Sequence, residues 1–141
     1  MAFTTCQGKH GDRDSNGLRY RREMRRDRNT EHPFEQAERD QADAVKAAEE
    51  NNYFEANRHA WNASDAAKAN SDLVAGAYLV AEAHLDAATA HRHAVSAHIA
   101  AALVASLITE KLKHTDAVIH HSYIAMEHSF KAASQIVEED R

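Results

Sequence analysis

Cysteine occurs once, at Cys6. An intrachain disulfide needs a second thiol and a cysteine-based zinc site needs at least two, so both are excluded. A single thiol suits a reducing compartment. Proline is equally scarce, at Pro33, and three of the four glycines (Gly8, Gly11 and Gly17) precede residue 18. Most of the chain therefore holds no residue that stops a helix. No run approaches the roughly 18 consecutive apolar residues of a membrane span, and no apolar stretch near Met1 reads as a secretion signal. No membrane partner is expected, and the expected location is the cytoplasm or the interior of an assembled particle. There is no glycine-rich phosphate loop, no nucleophile elbow and no cysteine–histidine arrangement. Aromatic residues are only 6% of the chain. Tyr53, Phe54, Trp61 and Tyr78 are too widely spaced to line one helix as a base-stacking strip, and they read as core or interface anchors.

The chain has alanine, charge and histidine in abundance. Hydrophobic residues make up 43% of the 141, and much of that is alanine. Alanine favours helix but brings little apolar area, and burial is worth only about 25 cal/mol per Å². Close helix packing or self-association is the expected remedy. Charge divides sharply: residues 1–32 carry +3 and residues 33–141 carry −8. Such asymmetry bears on partners rather than on fold.

Along the chain, residues 1–32 read as a basic, flexible N-terminal arm and residues 33–141 as a helical bundle domain. Pro33 suits a first helical turn, where its missing N–H has no role. Ala37, Gln41, Val45, Ala48, Asn52, Ala56, His59, Ala63 and Ala66 then recur at helical steps. The Asn51–Asn52 pair is a candidate kink or break. Ser71–Asp72 and Thr115–Asp116 carry a capping hydroxyl and an acid for further helix starts. A second stripe contains Val74, Tyr78, Ala81, Leu85, Ala88, Val95, Ile99 and Ala102. Helices are expected over about 33–70, 72–110 and 115–137. The fold class is all-α, with long alanine-rich helices in an antiparallel three-helix, alternatively four-helix, bundle or coiled-coil-like array.

Histidine spacing is the most unusual feature. His84, His91 and His98 lie seven apart, and so do His114, His121 and His128. Seven residues are about two helical turns, so each triplet lines one face. Ala88, Val95 and Ala102 alternate with the first triplet, and Val118, Ala125 and Ala132 with the second. A chain reversal near Ser106 would set His98 against His114, His91 against His121 and His84 against His128. These six residues form an expected seam, whether as packed borders or as a pH-sensitive interface, since imidazole titrates near 6.5. A divalent metal or haem is the alternative cofactor reading. Histidines two turns apart stand about 10 Å apart, so a facing helix would have to complete each site.

Arg19, Arg21, Arg22, Arg25, Arg26 and Arg28 cluster in the arm with Tyr20 among them. They could hold phosphates or the acidic body of a neighbouring subunit. Arg92-His93-Ala94-Val95-Ser96-Ala97-His98 resembles the arginine-to-histidine signature of HEPN-type ribonucleases, which are small all-α bundles. That resemblance implies metal-independent RNA cleavage, with Arg92 and His98 forming the active centre across a dimer. The leading expectation is a non-enzymatic, self-associating structural protein, such as a viral or phage component, whose arm contacts neighbouring subunits or nucleic acid. A homo-oligomer follows from it. The ribonuclease and the histidine-based metal or haem binder are the alternatives.

Overall fold

A computed structural model describes residues 32–139. Most of the basic arm, including Arg19, Arg21, Arg22, Arg25, Arg26 and Arg28, lies outside the described residues. The described residues are helical apart from the short links between helices, and they contain no strand. Four helices pack together: α1 (Pro33–Glu49), α2 (Tyr53–Asp72), α3 (Val80–Val104) and α4 (Ile108–Glu139). A short 3-10 turn, Leu73–Gly76, joins α2 to α3.

The Asn51–Asn52 pair divides the first expected helix in two, each asparagine in its own way. Asn51 has φ 57°, in the left-handed region. Its N–H donates to the Ala48 carbonyl at 2.9 Å, and that of Asn52 to the Ala47 carbonyl at 2.8 Å. These two bonds close the end of α1 around a left-handed residue, a geometry that asparagine tolerates better than other side-chain-bearing residues. The Asn52 side chain then accepts from the Glu55 N–H at 3.2 Å and caps α2. Asn51→Ala should lower stability by about 1 kcal/mol, because alanine keeps the Cβ but loses the short polar side chain that eases the left-handed region for asparagine. Asn51→Gly should hold stability or raise it slightly. Denaturant midpoints of the two variants test this, and equal midpoints would refute it.

The later boundaries differ from the expected ones. Ser71–Asp72 ends α2 instead of starting a helix, because the Ser71 hydroxyl is engaged by histidines of α3 and α4. Thr115 lies inside α4, and its hydroxyl donates to the Lys111 carbonyl at 2.8 Å. The chain reverses at Ala105–Leu107 without glycine or proline. There the Lys111 ammonium donates to the Ala102 carbonyl at 3.0 Å, satisfying an acceptor at the end of α3.

Every fully buried apolar residue among those described is an alanine. The largest fully buried side chains are His91, His98, His114, His121 and Ser64. The α1 core face is Ala37, Asp40, Ala44 and Ala47, one step from the stripe expected through Gln41, Val45 and Ala48. On α3, Ala87, Ala90, His91, Ala94, Ala97, His98 and Ala101 face inward, while Leu85 and Ile99 of the expected stripe are exposed. Phe54 and Tyr78 are also exposed and anchor no core. The reason is steric. Alanine faces let helix backbones approach closely, and a leucine placed there would hold them apart.

Candidate functional site

The seven-residue histidine periods of α3 and α4 meet face to face. His98 Nδ1 lies 2.8 Å from His114 Nδ1, His91 Nδ1 2.7 Å from His121 Nδ1, and His84 Nδ1 2.9 Å from His128 Nδ1. As the α3 partner steps back by seven, the α4 partner steps forward by seven, so the two helices run in opposite directions. These are the pairs that a reversal near Ser106 produces.

Helix α2 lies over the seam and links the pairs. The Ser64 hydroxyl stands 2.7 Å from both His98 Nε2 and His121 Nε2. One period later, the Ser71 hydroxyl stands 2.8 Å from His91 Nε2 and 2.9 Å from His128 Nε2. At the other end, the Tyr53 hydroxyl is 3.1 Å from His114 Nε2 and donates to Glu110 Oε1 at 2.5 Å. The contacts join into one continuous chain: Glu110, Tyr53, His114, His98, Ser64, His121, His91, Ser71, His128, His84. It has one side branch, where the Tyr53 hydroxyl also lies 3.2 Å from Asn57 Oδ1, a longer contact than the one to Glu110.

The direction of every bond in this chain follows from one carboxylate. Glu110 accepts the Tyr53 proton, so the tyrosine oxygen must accept from His114 Nε2–H. A neutral imidazole has one N–H, so His114 Nδ1 accepts from His98 Nδ1–H. His98 Nε2 accepts from the Ser64 hydroxyl, whose oxygen accepts from His121 Nε2–H. The same logic continues to His84. The rings therefore alternate: the proton sits on Nε2 in His114, His121 and His128, and on Nδ1 in His98, His91 and His84. With this one pattern both nitrogens of His114, His98, His121, His91 and His128 are bonded. Buried polar groups are stable only when so satisfied.

Burial keeps the rings neutral. It pushes His91 and His98 down to about 3 and His121 to about 4, with neighbouring histidines and, for His91 and His121, Lys68 adding to the effect. His84, His114 and His128 are also lowered, first by burial. At the open end, the Tyr53 hydrogen bond holds the Glu110 carboxyl below its ordinary range. Burial and that carboxylate push the Tyr53 hydroxyl upward. Trp61 closes over this end, its ring centroid 4.5 Å from that of His98, and its indole N–H donates to Asn57 Oδ1 at 3.0 Å.

The facing nitrogens are too close for a shared ion. Zn–N bonds of about 2.0–2.1 Å in tetrahedral geometry set two ligand nitrogens more than about 3 Å apart. In this arrangement the pairs are hydrogen-bonded imidazoles. A separate donor set lies between α1 and α2, where Asp40, Asp43 and His59 bring ligand atoms within 4.8 Å of one another. His59 Nδ1 donates to Asp40 Oδ1 at 2.8 Å, and the buried Asp40 Oδ2 has no hydrogen-bond partner. Two carboxylates and an imidazole suit a divalent cation.

The remaining expected residues are not brought together. Arg92 is exposed and its guanidinium donates to the Ser129 hydroxyl at 3.4 Å on α4. His98 is fully buried with both nitrogens bonded. It is closed to an RNA strand in this chain, so Arg92 and His98 form no joint centre here. Sequence reasoning places Ser71 at a helix cap and Tyr53 among the anchors, and gives none of Ser64, Ser71, Tyr53 and Glu110 a part in the seam. A signal existed for the serines, since they are also seven apart. No family model matches the chain, and neither a curated protein nor a solved structure is similar to it.

Proposed function

We propose that the protein is a non-enzymatic, self-associating helical assembly protein, with the outer face of α4 as its association surface. One observation carries the reading. Leu112, Ile119, Tyr123, Met126, Phe130 and Val137 are all more than half exposed. With Asp116 and Ala133 they follow at alternating steps of four and three along one face, the spacing of a coiled-coil seam. The seam histidines of α4, His114, His121 and His128, lie on the opposite face. The helix is thus apolar on its outside and polar-lined on its inside, the reverse of a surface helix in a monomer.

A second copy of the chain is the occupant that fits. An α4 of 32 residues is about 48 Å long at 1.5 Å per residue. That length can supply a standard interface of about 800 Å² a side. Lys113 and Glu127 flank the same edge of the stripe, both exposed. A two-fold axis between antiparallel α4 helices sets Lys113 of one copy beside Glu127 of the other, as an isologous interface requires. The alanine core supports the same reading, since one chain buries little apolar area alone. The basic segment 1–32 and the body's charge of −8 add a second contact between copies in this proposal. No helix among the described residues is long and apolar enough to cross a membrane.

Native mass spectrometry tests the proposal. The intact protein is expected as a discrete multimer, and a Tyr123→Glu, Met126→Glu double variant as a single chain of unchanged helicity. Deleting residues 1–31 should weaken the multimer. A monomeric wild-type protein, or a double variant with wild-type mass, would overturn the reading.

A further inference from the structure

The buried chain offers more than packing. Its hydrogen bonds are continuous over ten groups at spacings of 2.5–3.1 Å. They all point one way, from His84 towards Glu110. The two ends differ from the middle: Glu110 and His84 are half-buried, whereas His114, His98, His121 and His91 are sealed from water. Every member between the two ends both donates and accepts a hydrogen bond, and every junction is already at transfer distance. From His84 to His98 alone the seam runs about 21 Å at 1.5 Å per residue.

We propose that these groups form a single proton relay, in which a proton taken up at His84 Nε2 releases a different proton at Glu110. The transfer balances without any other reactant. Uptake at His84 frees its Nδ1 proton to His128 Nδ1, and the His128 Nε2 proton passes to the Ser71 oxygen. The Ser71 hydroxyl proton moves to His91 Nε2, and the His91 Nδ1 proton to His121 Nδ1. The His121 Nε2 proton then moves to the Ser64 oxygen, and the Ser64 proton to His98 Nε2. The His98 Nδ1 proton reaches His114 Nδ1, and the His114 Nε2 proton reaches the Tyr53 oxygen. Finally the Tyr53 proton goes to the Glu110 carboxylate, which gives it to water. One proton enters and one leaves, no electrons move, and each ring ends with its N–H on the other nitrogen.

That inversion sets the behaviour of the relay. Packed rings do not turn over freely, so a second proton cannot follow in the same direction. The chain resets by the reverse passage, with uptake at Glu110 and release at His84. Glu110 also supplies the bias. Once it returns to carboxylate, the Tyr53 hydroxyl proton is the one received from His114 and is directed at the now bare His114 Nε2, so the carboxylate lacks its donor and the starting pattern is the favoured one.

The experiment is 15N NMR of the full chain labelled at histidine, at neutral pH. N–H and bare ring nitrogens resonate well apart, so each tautomer is read directly. The expected result is N–H on Nε2 for His114, His121 and His128 and on Nδ1 for His98, His91 and His84, with exchange spectroscopy showing all six rings inverting at a common rate. Glu110→Gln removes the charge that sets the direction, and should mix the tautomers even at His84. Adding Ser71→Ala should stop that effect at His91, leaving His128 and His84 on their own rate. Should the Ser71 variant fail to fold, Glu110→Gln still decides, because its site is at the surface. A non-alternating pattern, rings locked without exchange, unrelated rates, or a Glu110→Gln effect confined to His114 and His98 would each overturn the relay. None of these outcomes depends on the oligomeric state.

Discussion

Acidification is expected to unfold the bundle cooperatively between roughly pH 6 and pH 4, starting just below the ordinary histidine range. In the unfolded chain the six seam histidines take protons near pH 6.5. In the folded chain His91 and His98 take them only near 3 and His121 near 4, because burial disfavours the imidazolium. Between these limits the unfolded state binds more protons, so stability is fully present above about pH 6.5 and falls as pH drops. Each ring wholly within the window contributes about 1.4 kcal/mol per pH unit, less whatever screening water provides. Three such rings over two pH units reach several kcal/mol, a large share of a typical 5–15 kcal/mol. His84, His114 and His128 act in the same direction, and so does Glu110, whose lowered carboxyl loses its contribution at still lower pH. Protonation also makes both ring nitrogens donors, which turns each Nδ1–Nδ1 contact into a repulsion. Circular dichroism against pH reads the helix loss. Trp61, the single tryptophan, packs on His98 and His114 and reports the seam by fluorescence. Full helicity at pH 3.5 would refute the prediction.

The second large effect is expected at one hydroxyl. Ser64→Ala leaves His98 Nε2 without a donor and His121 Nε2–H without an acceptor, both sealed from water. A buried unsatisfied polar group costs about 1–3 kcal/mol, so the variant should lose roughly 2–6 kcal/mol. The space vacated by one oxygen is too small for a bridging water. Ser122→Ala, at an exposed position of α4, is the control and should stay within about 0.5 kcal/mol. Urea unfolding midpoints compare the two. Equal midpoints would show that the seam tolerates a gap, and would remove the case for a fully connected chain.

Much of this site was legible in spacing alone. The histidine period placed three rings on one face of each helix, and a reversal near Ser106 pairs them in the order found. The serines at the same interval were legible too, although nothing in a serine marks it as buried. Tyr53 and Glu110 were not legible. They lie 57 residues apart and meet only because α2 lies along the seam and brings its first turn to the start of α4. The inward and outward faces of the helices could not be read by hydrophobicity, since the rule that large apolar residues lie inside is reversed here. Leu85, Ile99 and the α4 stripe face out while alanine and histidine face in. Helix ends followed tertiary need over local signal, as at Ser71, whose capping chemistry was taken by two imidazoles.

The sequence by itself determined that this chain is helical, because alanine dominates and breakers are nearly absent after Gly17, and that its histidines fall on common faces, because seven residues are close to two turns. The tertiary structure decided which side of each helix is the interior and in which direction the hydrogen bonds run. Both depend on groups far apart in the chain: small faces that let backbones approach, and one carboxylate whose charge orients every proton along the seam.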